Sequence, residues 1–326
     1  KTAIVLGATS GDTGSAAIDA CKHFSRIKTF ILLPNGNMSE IQRRQMSTIK
    51  SDNVFALRVD GTFDDCQDMV KLAFNKRDFL NENQYLLAVN SINWMRIVGQ
   101  ICYYFYAFIA LKYPEDLRFS IPTGNFGNVF AAYSAYKMGL PIKEIKVAVN
   151  SNDILFRFFD QNDYSKFDVN ETISPSMDIS VASNFERLVY DFFLDRNSQA
   201  LQEMFSNFPN QPLNLKKNIW QKGKALFSSI RVNDQQTKSR IIEFYAKNQY
   251  LLDPHTAVAA DLVDDNHDYI ILATAHPAKF PQLYAELNLD IGKVPSSLKH
   301  LSQLDENLHF IRGDYSALAS YIHNNN

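Results

Sequence analysis

Short apolar runs alternate with helical-period segments from the first residue onward. Thr2–Leu6 reads as a strand, Ser15–Phe24 as a helix, Lys28–Leu33 as a strand and Ser39–Ile49 as a helix. Strand Val54–Val59, helix Phe63–Phe74 and strand Tyr85–Val89 continue the rhythm, and a long helix is expected from about Asn93 to Lys112. Strand 118–123, helix 129–138, strand 145–150 and helix 153–159 repeat it. Such alternation predicts parallel sheets covered by helices on both faces. Between about 160 and 250 the strand signal fades, and a helical insertion is expected there. Ser183-Asn184-Phe185-Glu186 has the spacing of a capping box, and Asp253-Pro254 that of an N-cap followed by a first-turn proline. Strand Tyr269–Ala273, helix Ala278–Leu287, strand Leu308–Arg312 and helix Tyr315–His323 close the chain. The expected fold class is α/β, with two parallel-sheet lobes at residues 1–105 and 106–326, the second holding the insertion.

Composition narrows the function classes. With 326 residues and 46% hydrophobic content the chain is long enough for two lobes with sizeable cores. A formal net charge of −2 gives no general attraction to nucleic acid or to an anionic membrane. The longest apolar run, Ile101–Leu111, is too short to span a bilayer and carries three tyrosines, so it reads as a buried helix. Cys21, Cys66 and Cys102 are odd in number and widely spaced, which points to a reducing, cytoplasmic compartment and away from a disulfide framework. The histidines show no metal-ligand spacing, and His255 and His276, at helix starts, are expected to be structural. The chain opens directly on a central-looking strand with no initiator Met or leader, and the expectation is that it is truncated.

Three segments combine glycine or hydroxyl groups with a helix start, where unpaired N–H groups and the helix dipole favour anions. The first is Gly7-Ala8-Thr9-Ser10-Gly11-Asp12-Thr13-Gly14, whose Thr9, Ser10 and Thr13 hydroxyls and Gly11 backbone suit a small carboxylate. Asp12 there is expected to orient the loop. The second is Ile121-Pro122-Thr123-Gly124-Asn125-Phe126-Gly127-Asn128, a strand-to-helix turn in which Gly124 and Gly127 leave room for a close oxyanion. The third is Asn90-Ser91-Ile92-Asn93-Trp94-Met95-Arg96. Asn90 and Ser91 are placed in the first turn of the long helix, with Arg96 able to swing back as a fork-shaped cation for a phosphate. Thr274 falls at the carboxyl end of a strand, where ligands bind in open α/β sheets.

One reading of these features is an NAD(P) oxidoreductase of the short-chain type. Gly7-x-x-x-Gly11 follows a first strand, and Ser120, Tyr133 and Lys137 have a triad-like spacing. Against it, the first turn closes as Gly11-x-x-Gly14 rather than Gly-x-Gly, and Lys28–Leu33 ends in Pro34-Asn35 with no acidic residue for a ribose. Tyr133 and Lys137 are expected to pack instead.

The other reading comes from resemblance. GATSGDTGSAA, NSINWMRI, PTGNFGN, SNFERL, DPHTAV and TAHPAKF, in this order and spacing, resemble the threonine synthase family of the longer fungal and bacterial type, across essentially the whole chain. The resemblance implies the tryptophan-synthase-like fold of pyridoxal-phosphate enzymes, with the cofactor in a cleft between two α/β domains. It implies that Gly124, Asn125, Phe126, Gly127 and Asn128 hold the pyridoxal 5'-phosphate phosphate and that Thr274 faces the pyridine nitrogen. Thr9, Ser10, Gly11, Asp12 and Thr13 would receive the carboxylate of O-phospho-L-homoserine, and Asn90, Ser91 and Arg96 its phosphate. The implied reaction eliminates that phosphate and adds water to give threonine. A phospho-lyase of the same family, releasing 2-oxobutyrate, shares the first half-reaction, and the NFGN form of the turn favours the synthase. Relatives often carry an acidic residue at the position of Asn128. In the family the Schiff-base lysine lies upstream of GATSGDTG in a segment ending Phe-Lys-Asp; this chain begins after it, and Lys1 lacks the surrounding motif. The resemblance therefore implies no catalytic lysine within residues 1–326 and an inactive chain when isolated.

Overall fold

The run Ala3-Ile4-Val5-Leu6 has no polar alternation, as a strand covered on both faces requires, and it forms the centre of β1 (Thr2–Ala8), with Ile4 and Leu6 fully buried. The computed structural model describes residues 1–9, 11–35, 38–261 and 267–325, with Asp64 described in its backbone only. After β1 come α1 (Asp12–Cys21), β2 (Ile27–Pro34), α2 (Glu40–Ser47), β3 (Val54–Asp60), α3 (Phe63–Lys76) and β4 (Gln84–Ala88). Every pairing among these strands is parallel, in the order β4-β1-β2-β3.

From Trp94 the chain builds a second unit. It comprises α4 (Trp94–Ala110), β5 (Leu117–Pro122), α5 (Gly127–Lys137), β6 (Ile142–Val149) and α6 (Ile154–Gln161). Three short helices follow, α7 (Phe185–Leu188), α8 (Ser198–Phe205) and α9 (Lys217–Gln221), then β7 (Phe227–Arg231), α10 (Asp234–Asn248), α11 (Pro254–Ala260), β8 (Ile270–Ile271) and α12 (Pro281–Glu286). Its sheet is also parallel, in the order β7-β6-β5-β8. The core between sheet and helices is dense in aromatic rings, with Phe126, Phe158, Phe185 and Phe193 fully or almost fully buried.

The last segment, α13 (Ser296–Lys299), β9 (Leu308–Arg312) and α14 (Tyr315–Asn324), returns to the first unit. Here β9 pairs with β3, and Leu318 and Ile322 of α14 join the cluster of Leu57, Met69 and Phe79. The units are therefore 1–93 with 292–326, and 94–291. This differs from the expected lobes 1–105 and 106–326, because a local pattern announces a strand without saying which sheet it completes. The whole of α4 belongs with the second core, where Ile97 is buried and Tyr104 packs edge-on to Phe119 at 4.9 Å. The expected insertion is also not wholly helical. Phe227-Ser228-Ser229-Ile230-Arg231 is the edge strand β7, whose two serines hide the apolar pattern. Among the described residues, no helix is long and apolar enough to cross a membrane.

Gly14 shows how closely α1 is laid on the sheet. A Cβ there would overlap the Thr9 methyl and lie 2.5 Å from Met46 Sδ and 2.8 Å from Ile31 Cγ2. Gly14→Ala is expected to lower stability by about 1–3 kcal/mol through overpacking, measured as a shifted urea midpoint with an unchanged slope.

Candidate active site

In the second unit the turn after β5 is held rigidly from within. Thr123 is buried, its N–H donates to the Ala148 carbonyl at 2.9 Å, and its hydroxyl oxygen accepts the Phe126 N–H at 3.1 Å. Phe126 is the N-cap of α5 in the left-handed conformation, φ 64° and ψ 8°, unusual for an aromatic residue. Its ring is fully buried, 6.1 Å from Phe159 and 5.4 Å from Phe185 between centroids. The Asn125 carbonyl accepts two bonds from Asn184, from its backbone N–H at 3.0 Å and from Nδ2 at 3.1 Å. Tyr104 donates its hydroxyl to the Asn128 carbonyl at 2.5 Å. The first-turn N–H groups of Gly127, Asn128 and Val129, by contrast, meet no acceptor among the described residues. A helix start with three open donors is a built anion cradle. Phe126 departs from its expected place in that cradle: its N–H turns to Thr123 and its ring anchors the turn in the core.

Thr274 reaches the same sheet edge from the neighbouring strand. Ile271 of β8 is in register with Ser120 of β5, and the Leu272 N–H donates to the Ser120 carbonyl at 3.2 Å. The parallel pairing places Thr274 and the 123–126 turn beyond the carboxyl ends of adjacent strands. The Thr274 residue is exposed, and its backbone N–H is held by the Thr256 hydroxyl oxygen at 3.2 Å.

In the first unit, β1 and β4 are likewise adjacent and parallel, with the Val89 N–H donating to the Leu6 carbonyl at 3.0 Å. Thr9 and Gly11 follow β1, and Asn90 and Ser91 follow β4, so these two candidate segments share one sheet edge. The Thr9 hydroxyl shapes its own loop, donating to the Gly11 carbonyl at 3.0 Å and accepting the Gly11 N–H at 3.1 Å. Asp12 accepts from Gln42 Nε2 of α2 at 3.2 Å. Thr13 is half-buried in the first turn of α1, and Ser10 lies outside the described residues. Asn90 and Ser91 are not in the first turn of the long helix, as had been expected, because α4 begins only at Trp94. Arg96 stands in that first turn and belongs to the second unit, whereas Asn90 and Ser91 belong to the first. Burial lowers the Arg96 pKa from its ordinary value.

The oxidoreductase triad is not formed. Ser120 donates to the Ala259 carbonyl at 2.7 Å, and Tyr133 to Asp191 Oδ2 at 2.5 Å. Burial, reinforced by Asp191, pushes the Tyr133 pKa far up. The expected capping box at Ser183–Glu186 is also absent: α7 has no side-chain cap, and the Asn184 amide goes to Asn125 instead. Asn184 thus supports the turn in a way the sequence pattern concealed, since Asn is a common N-cap and gives no sign of a partner far along the chain.

A family profile described as "Pyridoxal-phosphate dependent enzyme" matches residues 1–202, and one described as "Threonine synthase, C-terminal" matches residues 256–322. Among curated relatives, the threonine synthase of Saccharomyces cerevisiae is 40% identical over 355 residues, which include 99% of this chain and 69% of the yeast protein. The chain belongs to the threonine synthase family. The threonine synthase of Pseudomonas aeruginosa is 44% identical over 310 residues, with 93% of this chain and 65% of the relative covered. The chain therefore spans about two thirds of the length of these relatives. Among solved structures, PLP-bound threonine synthase from Brucella melitensis superposes with a TM-score of 0.92 at 37% identity, and the yeast enzyme with 0.89 at 38%. Each match covers 100% of this chain, and 71% and 70% of the respective structures. The fold class expected from the strand and helix rhythm is that of this family, whose first profile names pyridoxal phosphate as the cofactor.

Proposed function

We propose that the full-length protein is a threonine synthase, converting O-phospho-L-homoserine and water to L-threonine and phosphate with pyridoxal 5'-phosphate. One observation carries the reading: the open N–H groups of Gly127, Asn128 and Val129 form an anion cradle on the strand edge that also carries Thr274. The cradle suits a phosphate monoester, and the backbone of Gly124, Asn125, Gly127 and Asn128 would hold it, with Phe126 as the anchor beneath. The Thr274 hydroxyl would face the pyridine nitrogen and, being a weak partner, leave it largely unprotonated. The bound cofactor supplies an electron sink for negative charge developed at the substrate. Thr9, Ser10, Gly11, Asp12 and Thr13 would bind the substrate carboxylate through backbone and hydroxyl donors, and Asn90, Ser91 and Arg96 its phosphate. On this reading the lysine that bonds to the cofactor aldehyde would lie upstream of Lys1.

The test is a borohydride trap with peptide mapping on the 326-residue chain and on the full-length protein. The full-length protein is expected to give one reduced adduct upstream of Lys1 and to release phosphate and threonine. A single adduct at a lysine within residues 1–326, with threonine formed by the short chain, would show that lysine to be misplaced. Absence of pyridoxal phosphate binding by the full-length protein would remove the reading altogether.

A further inference from the structure

The buried start of α11 holds a polar chain that helix capping alone does not require. Asp253 Oδ1 accepts the backbone N–H groups of His255 at 2.9 Å and Thr256 at 3.2 Å, the ordinary work of an N-cap. The same carboxylate also takes two side chains: His255 Nδ1 lies 3.3 Å from Oδ1, and the Thr256 hydroxyl donates to Oδ2. All three residues are almost completely buried. His255 and Thr256 then each reach outward with the remaining atom. His255 Nε2 accepts the Ser176 N–H at 3.1 Å, and the Thr256 oxygen accepts the Thr274 N–H at 3.2 Å.

These bonds have only one consistent direction. Because Nε2 accepts the Ser176 N–H, Nδ1 carries a proton and donates it to Asp253. Because the Thr256 hydroxyl donates to Asp253, its oxygen is left as an acceptor for Thr274. The carboxylate is the single terminus of both arms. Burial opposes its ionisation, yet the bonds from His255 and Thr256 outweigh burial and lower its pKa from the ordinary value.

The ends of the two arms fall where the proposed cofactor contacts are. The Thr256 arm ends on the backbone of Thr274 itself. The His255 arm ends on Ser176, whose carbonyl, with the Cα of Met177, backs Gly124: a Cβ on Gly124 would lie 3.3 Å from the first and 3.1 Å from the second. We propose that Asp253, His255 and Thr256 are positioning residues that lock the wall behind the phosphate turn and the Thr274 segment into one register. This rests on the pyridoxal-phosphate reading above.

Two histidine variants separate the arms in the full-length protein. His255→Asn keeps a donor near the Nδ1 position and loses the acceptor for Ser176. His255→Gln keeps an acceptor near the Nε2 position and loses the donor to Asp253. Amide hydrogen exchange and equilibrium dialysis against pyridoxal phosphate are measured for both, together with Thr256→Val. His255→Asn is expected to speed exchange at Ser176 and raise the pyridoxal phosphate Kd about five- to tenfold, while His255→Gln stays within about twofold of wild type. Thr256→Val is expected to speed exchange at Thr274 alone, with a similar rise in Kd. A merely structural role would leave affinity unchanged in all three, and that result with a wild-type protein that binds the cofactor overturns the clamp alone. A wild-type protein that does not bind pyridoxal phosphate overturns the functional reading and the clamp's purpose together. Should His255→Asn fail to fold, the Thr256→Val comparison still decides between these outcomes.

Discussion

Phe126→Ala is expected to destabilise the second unit by about 3–5 kcal/mol, the usual range for deleting a fully buried phenyl ring. The ring touches both faces of the turn's support, Phe159 from α6 and Phe185 from α7, so collapse around the void is limited. The backbone adds a second effect. At φ 64° an L-residue is strained by roughly 1–2 kcal/mol, a cost that alanine keeps and glycine does not. Phe126→Gly should therefore be no less stable than Phe126→Ala, reversing the order found at an ordinary helical position. Urea unfolding of the two variants checks this. Alanine more stable than glycine would mean that residue 126 leaves the left-handed region once the ring is gone, so that the ring holds it there. The same loss should weaken phosphate binding, because the open N–H groups of Gly127, Asn128 and Val129 keep their common direction only while the turn is anchored.

The parts of this molecule that were legible in sequence are those whose physics is local. Parallel strands buried on both faces read as unbroken apolar runs, which is why β1, β2 and β3 are plain at Ala3–Leu6, Phe30–Leu33 and Val54–Leu57. Asp253-Pro254 announced the start of α11 because a cap and a first-turn proline act within a few residues. The turn after β5 was legible as a strand-to-helix turn from its glycines and the helix that follows. What escaped depended on partners distant in the chain. The edge strand β7 has only Phe227 and Ile230 as apolar members, and pairing with β6 makes it a strand. Ser183–Glu186 satisfied the capping-box spacing, yet the Asn125 carbonyl draws the Asn184 amide away. His255 read as a structural histidine because nothing near it names Ser176 as the partner of its second nitrogen. The division at Asn93 likewise depends on which core α4 joins, a matter settled by Ile97 and Tyr104 packing in the second core.

In the full-length protein, Arg96→Ala is expected to reduce kcat/KM for O-phospho-L-homoserine about ten- to over a hundredfold while leaving the pyridoxal phosphate Kd nearly unchanged. Position in the chain separates the two effects. Arg96 opens α4, just past Asn90 and Ser91, whereas the cofactor cradle is formed by the start of α5. A charge-assisted bond to a phosphate is worth about 1.5–3 kcal/mol, and each 1.4 kcal/mol is tenfold, which sets the range. Partial burial argues for the upper part of it, since a half-buried guanidinium is screened less than a surface one. Arg96→Lys is a sharper probe. It keeps the charge but lacks the planar fork, so recovery of only part of the activity is expected if two phosphate oxygens are held at once. Steady-state kinetics on both variants, beside equilibrium dialysis of the cofactor, check the assignment. An equal loss of cofactor affinity and substrate use in Arg96→Ala would move the arginine to the cofactor phosphate and leave the substrate phosphate to Asn90 and Ser91.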